Sequence, residues 1–141
     1  MRLWHIKLLS ALPQQHLVSQ WRECSAIAGA IQKNGTPNHS LVNFVLDYDY
    51  DHFISYAYYL REEMTKRKIR TMNTVWNKIV SLKPNYTLLP FDEVYKEKMD
   101  FMYLTICYYN LFEKYMCGMF GQEDWDNIKD VFADIQYIID I

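Results

Sequence analysis

The sequence predicts an all-α fold, a compact helical bundle of about four to five helices in a single domain spanning residues 1–141. Three observations predict it. Apolar residues return at alternating spacings of three and four in separate stretches, the pattern of helices that bury one stripe. Turn-forming clusters fall between those stretches, at Asn34-Gly35-Thr36-Pro37-Asn38, at Lys83-Pro84-Asn85-Tyr86 and from Gly118 to Gly121. Half of the residues are hydrophobic, which suffices for a core, yet no run approaches the roughly 18 apolar residues of a membrane span.

Taken in order, the chain opens on Met1-Arg2-Leu3-Trp4-His5, and Ile6, Leu8 and Leu9 follow. These residues are too apolar to remain in water, so an ordered amino-terminal segment is expected to pack against helix one. Met1 to Leu12 is too short for a signal peptide and is soon interrupted by Pro13-Gln14-Gln15-His16. A cytoplasmic protein is expected. Ser10 suits an N-cap and Pro13 a first helical turn, from which helix one runs to about Gln32 or Lys33. Leu17, Trp21, Cys24, Ala28 and Ile31 form its core stripe. On a helical wheel the opposite side gathers Gln15, His16, Arg22 and Glu23, separated by the small residues Ser19, Ala26 and Ala30. An acid, a base, an amide and a cation therefore share a face that leaves room for a ligand.

His39 to Leu46 is a short apolar segment of either strand or helix type. Asp47, Asp49 and Asp51 imitate the start of a calcium loop, but His52 and Tyr58 stand where its glycine and glutamate belong. Asp49 or Asp51 is better read as the N-cap of helix two. That helix carries the stripe Phe53, Ala57, Leu60 and Met64, flanked by Tyr56 and Tyr59, and is expected to pack on helix one. Its end is cationic, with Lys66, Arg67, Lys68 and Arg70 placed to complement the helix dipole or to contact phosphates. Beyond Pro90, a helix is expected from Asp92 with Val94, Tyr95, Met99, Met102, Ile106 and Tyr109 inward. A last helix places Trp125, Ile128, Phe132, Ile135 and Ile139 on one stripe. Tyr103, Tyr108, Tyr109 and Tyr115 are read as core rather than as platforms for stacked bases.

The net charge of −2 hides an asymmetry. Residues 1–90 carry 11 Lys/Arg against 6 Asp/Glu, a balance of +5, whereas residues 91–141 carry 4 against 11, a balance of −7. A polyanion should therefore meet the first two-thirds of the chain. Cys24, Cys107 and Cys117 lack the paired spacing of a zinc site and read as buried free thiols. No metal or other cofactor is expected.

Leu9-Ser10, Leu12, Gln15-His16-Leu17 and, at unchanged spacing, Trp21-Arg22-Glu23 resemble the active-site helix of the pyrimidine-dimer DNA glycosylases of the phage endonuclease V type. His52 with Leu60, and Glu63-Met64 before Lys66-Arg67, are similar to the second helix of that family. Met1-Arg2-Leu3-Trp4-His5, Arg22-Glu23-Cys24 and His39-Ser40-Leu41-Val42-Asn43-Phe44 look more like a bacterial branch of it. The resemblance covers about residues 1–80 and leaves 91–141 as a divergent, acidic helical part.

It implies a DNA repair glycosylase with abasic-site (AP) lyase activity on double-stranded DNA holding a damaged base or abasic site, with no membrane involved and association with the nucleoid. In the family an amino-terminal α-amine attacks C1′ of the damaged nucleotide, an imine forms, and β-elimination cuts the strand. An unperturbed α-amine titrates at roughly 7.7–8, so such amines are partly neutral in cells. Arg2 in second position should retain the initiator methionine, which makes the Met1 amine the implied nucleophile. The family's essential glutamate matches Glu23, which would stabilise charge developing on the sugar. Arg2, Gln15, His16 and Arg22 would hold phosphates or a flipped nucleotide, with Lys33, Lys66 and Arg67 as further DNA contacts. Ala26 departs from the pattern, standing where the phage enzyme has a basic residue. A different class of reading is a non-catalytic helical module that binds DNA, or a protein partner through its acidic C-terminal helices.

Overall fold

The computed structural model describes residues 1–140, with side chains through Ile138; among them every regular element is a helix. Five α-helices form: α1 (Gln14–Asn34), α2 (Tyr50–Lys66), α3 (Asn73–Val80), α4 (Phe101–Met116) and α5 (Gln122–Asp140). Short 3-10 helices occupy Ile6–Ala11, Asn43–Asp47 and Phe91–Glu93. The segment of undecided type, His39 to Leu46, thus holds all but the last residue of the second of these. Among the described residues no helix is long and apolar enough to cross a membrane.

The expected stripe of α1 is buried at Leu17, Trp21, Cys24 and Ala28 and half-buried at Ile31. Its start differs from expectation. Pro13, not Ser10, takes the cap position and supplies no side-chain cap. Ser10 lies within the preceding 3-10 helix, whose end is held by the Arg67 guanidinium donating to the carbonyls of Leu12 (2.6 Å) and Ser10 (2.9 Å). At the other end Gly35, at φ 75°, donates its N–H to the Ile31 carbonyl at 2.8 Å. Only glycine takes that left-handed closure without steric cost.

Asp49 caps α2 by accepting from the Asp51 N–H at 2.8 Å, and Lys83 bridges Asp49 and Asp51 at 2.8 and 3.1 Å. Phe53, Ala57, Leu60 and Met64 are buried as expected, and α2 packs along α1. The helix α3 has no counterpart among the sequence expectations. It crosses α1 at Gly29, where a Cβ would come within 2.9 Å of the Lys78 ammonium. Eight residues give too few turns for periodicity to register.

The C-terminal third needs correction. The helix expected from Asp92 begins at Phe101, capped by Asp100, whose carboxylate accepts from the Tyr103 N–H at 2.8 Å. Tyr95 adopts a positive φ of 50° and donates its N–H to His52 Nδ1 at 2.9 Å, which carries the chain out of helical geometry. Tyr103, Leu104, Cys107 and Leu111 form the buried face of α4, whereas Met102, Ile106 and Tyr109, expected inward, are exposed. Tyr108 stacks on Phe132 with centroids 4.0 Å apart, and Tyr115 stacks on Trp125 at 5.4 Å. These contacts seat α5 on α4 through the predicted residues Trp125, Ile128, Phe132 and Ile135; the side chain of Ile139 lies outside the described residues. Cys24 and Cys107 are buried, but Cys117, at the end of α4, is exposed.

The amino-terminal segment is enclosed. Leu3, Trp4 and His5 are buried, Tyr103 donates to the Leu3 carbonyl, and α5 packs on the first 3-10 helix. His5 accepts the Lys7 N–H at Nδ1 (3.2 Å) and donates from Nε2 to the Met99 carbonyl (2.8 Å), which fixes a neutral tautomer. Burial lowers its pKa from 6.5 to about 4. The folded state therefore binds fewer protons than the unfolded state between those values, and stability falls as pH drops through that window. A shift of this size corresponds to about 3 kcal/mol. Urea unfolding at pH 7 and pH 4 should show the loss, and His5→Gln should flatten it.

Candidate active site

The site is built by one turn of α1 and the segment that crosses it. His16 lies three and four residues before Ser19 and Gln20, and Glu23 four and three after them, so these side chains neighbour one another on the helix surface. Gln20 is fully buried and joins the two parts. Its Oε1 accepts from the Trp4 N–H (2.8 Å) and the Tyr56 hydroxyl (3.0 Å). Its Nε2 donates to the Arg2 carbonyl (3.0 Å) and to Glu23 Oε2 (2.8 Å). The Tyr56 hydroxyl also donates to the Trp4 carbonyl at 2.6 Å. The chain from Arg2 to Trp4 is thereby laid beside the Glu23 carboxylate.

Met1, Arg2, Gln15, His16, Ser19 and Glu23 line one cavity of about 360 Å³, within the roughly 300–1,000 Å³ of small-molecule sites. Its far wall comes from elsewhere: Leu41 from the α1–α2 connection, Asn110 and Lys114 from α4, and Met119 from the α4–α5 turn. Gln15 secures that wall by donating to the Met119 carbonyl at 3.0 Å.

Charge in the cavity is mixed. Burial raises the pKa of Glu23, and the positive charges of the amino terminus and of Lys114 oppose the rise. A carboxylate half removed from water and facing two cations suits the stabilisation of a developing positive centre. Burial also lowers the pKa of His16, assisted by Lys114 and opposed by Asp124. His16 is held edge-on between Trp4 (6.0 Å) and Phe120 (5.6 Å), with a buried Nδ1 that has no partner among the described residues. It is a neutral polar group in the wall rather than a further cation.

The other sequence candidates lie outside this cavity. Arg22 is exposed and opens onto an adjoining depression shared with Gln15 and Ser19. Lys33 is exposed at the far end of α1, roughly 25 Å of helix beyond His16. Lys66 is exposed beside a separate cleft near Tyr59 and Phe91. Arg67 is half-buried, and its donors are taken by Glu63 Oε2 (2.8 Å) and the carbonyls that end the first 3-10 helix, so it acts as a clasp between α2 and the amino-terminal segment. The Arg2 guanidinium lies near Cys107 and Tyr103 and lowers the pKa of both against the upward effect of their burial.

Besides the wall residues Leu41, Asn110 and Met119, two polar site residues have no place among the sequence candidates. Gln20 sits on the border of the apolar stripe of α1, and the available signal was a lone amide among Leu17, Trp21 and Cys24, since a buried amide must find partners. Lys114 comes from the acidic third, beyond the basic residues 1–90 on which the expected meeting with a polyanion is placed. Nothing local marks it.

A family model described as pyrimidine dimer DNA glycosylase matches residues 1–77. No curated protein and no solved structure matches the chain. The matched span holds Met1, Arg2 and the whole of α1 and α2, while Asn110, Lys114 and Met119 lie beyond it.

Proposed function

This chain belongs to the pyrimidine dimer DNA glycosylase family, and on that premise we propose that its cavity excises a damaged base and then cuts the strand at the resulting site. The neutral Met1 amine attacks C1′ of the target nucleotide. The bond from C1′ to the base breaks, and the base departs with the electron pair and takes up a proton. The nitrogen gives up one proton, the C1′–O4′ bond breaks with its electron pair going to O4′, which is protonated to a hydroxyl, and a protonated imine is left between Met1 and C1′. Removal of a C2′ proton then expels the 3′ phosphate and cleaves the strand. Glu23 stabilises the positive charge on the sugar and moves protons. Arg2 and Lys114, with Arg22 outside the cavity, meet the phosphates, and His16 and Gln15 contact the displaced nucleotide.

A single observation carries this reading: Met1 and Glu23 line one cavity, and the charge of the amino terminus acts on the Glu23 carboxylate. The same observation weighs against a binding module without chemistry, which has no use for an amine that shares a cavity with a half-buried acid. Borohydride added to protein and abasic-site duplex should trap a covalent adduct through reduction of the imine. One extra residue before Met1 should abolish trapping, because its amine is displaced from Glu23. Trapping that survives the extension assigns the nucleophile elsewhere, and no adduct with native protein on abasic or ultraviolet-irradiated duplex removes the lyase reading. Binding without adduct would then favour the module.

A further inference from the structure

We infer that Leu41 is a wedge, an apolar side chain that enters the base stack where the target nucleotide leaves it; this rests on the proposed activity of the same cavity. An exposed leucine is unremarkable in itself. Leu41 is unusual in its position, because it lines a cavity whose other walls are the Met1–Arg2 segment, Glu23 and Lys114, while remaining 46% exposed. The turn that carries it is pinned. His39 donates its N–H to Asn43 Oδ1 (2.9 Å) and accepts the Leu41 N–H at Nδ1 (3.3 Å), and its carbonyl accepts from Val42 (3.0 Å) and Asn43 (2.9 Å). Val42, the next residue, is fully buried and anchors the turn in the core.

This is a fixed backbone presenting an apolar side chain at the mouth of a charged cavity. A duplex placed over the cavity with a phosphate near Lys114 has its stack against that mouth. Moving a nucleotide into the cavity opens a gap between neighbouring base pairs, and filling such a gap with an apolar side chain is how proteins hold an unstacked, kinked duplex. Met119 shares the rim and is 53% exposed, but its unbranched side chain has more rotatable bonds and defines a wedge less well. Leu41 is therefore assigned as a positioning residue whose work is chiefly on double-stranded substrate.

The test compares Leu41→Ala, Leu41→Asn and Leu41→Met on abasic-site duplex and on the same strand unpaired, in single-turnover cleavage. Leu41→Ala and Leu41→Asn should slow the duplex reaction about tenfold or more, the scale of losing one leucine burial. The single-stranded reaction should fall several-fold less than the duplex reaction, and Leu41→Met, apolar but less defined in shape, should restore part of the duplex rate. Fluorescence of 2-aminopurine beside the abasic site should rise when wild-type protein binds and rise less with Leu41→Ala. Equal losses on both substrates, or wild-type behaviour of Leu41→Asn, would overturn the wedge. Should the wild type cleave nothing, the lyase reading fails separately, and the 2-aminopurine comparison decides the wedge: no response from wild-type protein, or an equal one from Leu41→Ala, rejects it.

Discussion

Glu23→Gln should lower single-turnover cleavage of abasic-site duplex by about 10³, within the range of roughly 10²–10⁴ expected for a positioned acid–base group, while DNA binding persists or tightens. The substitution preserves shape, so the Gln20 amide keeps an oxygen to donate to at the position where it now meets Oε2 at 2.8 Å. Fold and nucleophile remain in place. Charge is what disappears, and with it the carboxylate that faces the amino terminus and Lys114. Removing a negative group from a cavity that receives a phosphate backbone costs no affinity, so rate and binding should separate. Because burial dominates and raises the Glu23 pKa, the acid limb of the wild-type pH profile should lie above 4.5, the ordinary value for glutamate. Cleavage by Glu23→Gln at more than a tenth of the wild-type rate would move the acid–base role to another residue.

The legible part of the site was the part contained in one helix. Gln15, His16, Ser19 and Glu23 share a face of α1 because helical geometry fixes their neighbourhood, and that geometry follows from the spacing of Leu17, Trp21, Cys24 and Ala28. Arg22 belongs to the same polar surface but turns away from the cavity, a difference of direction that a wheel does not resolve into inside and outside. Lys114 was not legible, since its place depends on how α4 docks against the amino-terminal segment.

The phase of α4 was obscure for a related reason. From Phe101 to Phe112 nearly every position is apolar or aromatic, so no polar face marks the outside. Tertiary contacts settle the phase instead: Tyr103 bonds the Leu3 carbonyl, and Tyr108 and Tyr115 stack on rings of α5 and at its start. A helix that supplies Lys114 to the cavity is therefore oriented by the same segment that supplies Met1. The proposed nucleophile, Met1, and the far wall therefore depend on one another through Leu3.

Gln20 is where that dependence can be broken. Gln20→Leu keeps the volume and removes every hydrogen bond that the amide makes, leaving the Trp4 N–H and the Arg2 carbonyl without this partner and the Glu23 carboxylate without its donor. Buried polar groups deprived of a partner cost about 1–3 kcal/mol each, partly offset by the apolar replacement, so a net loss of about 2–4 kcal/mol is expected in urea unfolding. Activity should fall further than stability explains. Misplacing a reacting group by about 1 Å can cost about 10² in rate, and without Gln20 nothing ties Arg2 to Glu23 across the helix surface. Borohydride trapping under conditions where the variant remains folded should be at least about 10²-fold slower, with abasic-duplex affinity changed far less, because Lys114 and Arg22 are untouched and Arg2 keeps its charge. Gln20→Glu provides the counterpart. It keeps the acceptor for Trp4 and Tyr56 but sets a second carboxylate against Glu23, and the like charge should raise the pKa of the pair. The acid limb of the pH profile should then move to higher pH. A Gln20→Leu protein that traps DNA at the wild-type rate would show that the amino terminus finds Glu23 without the amide, and the positioning role would pass to the Tyr56 and Tyr103 contacts alone.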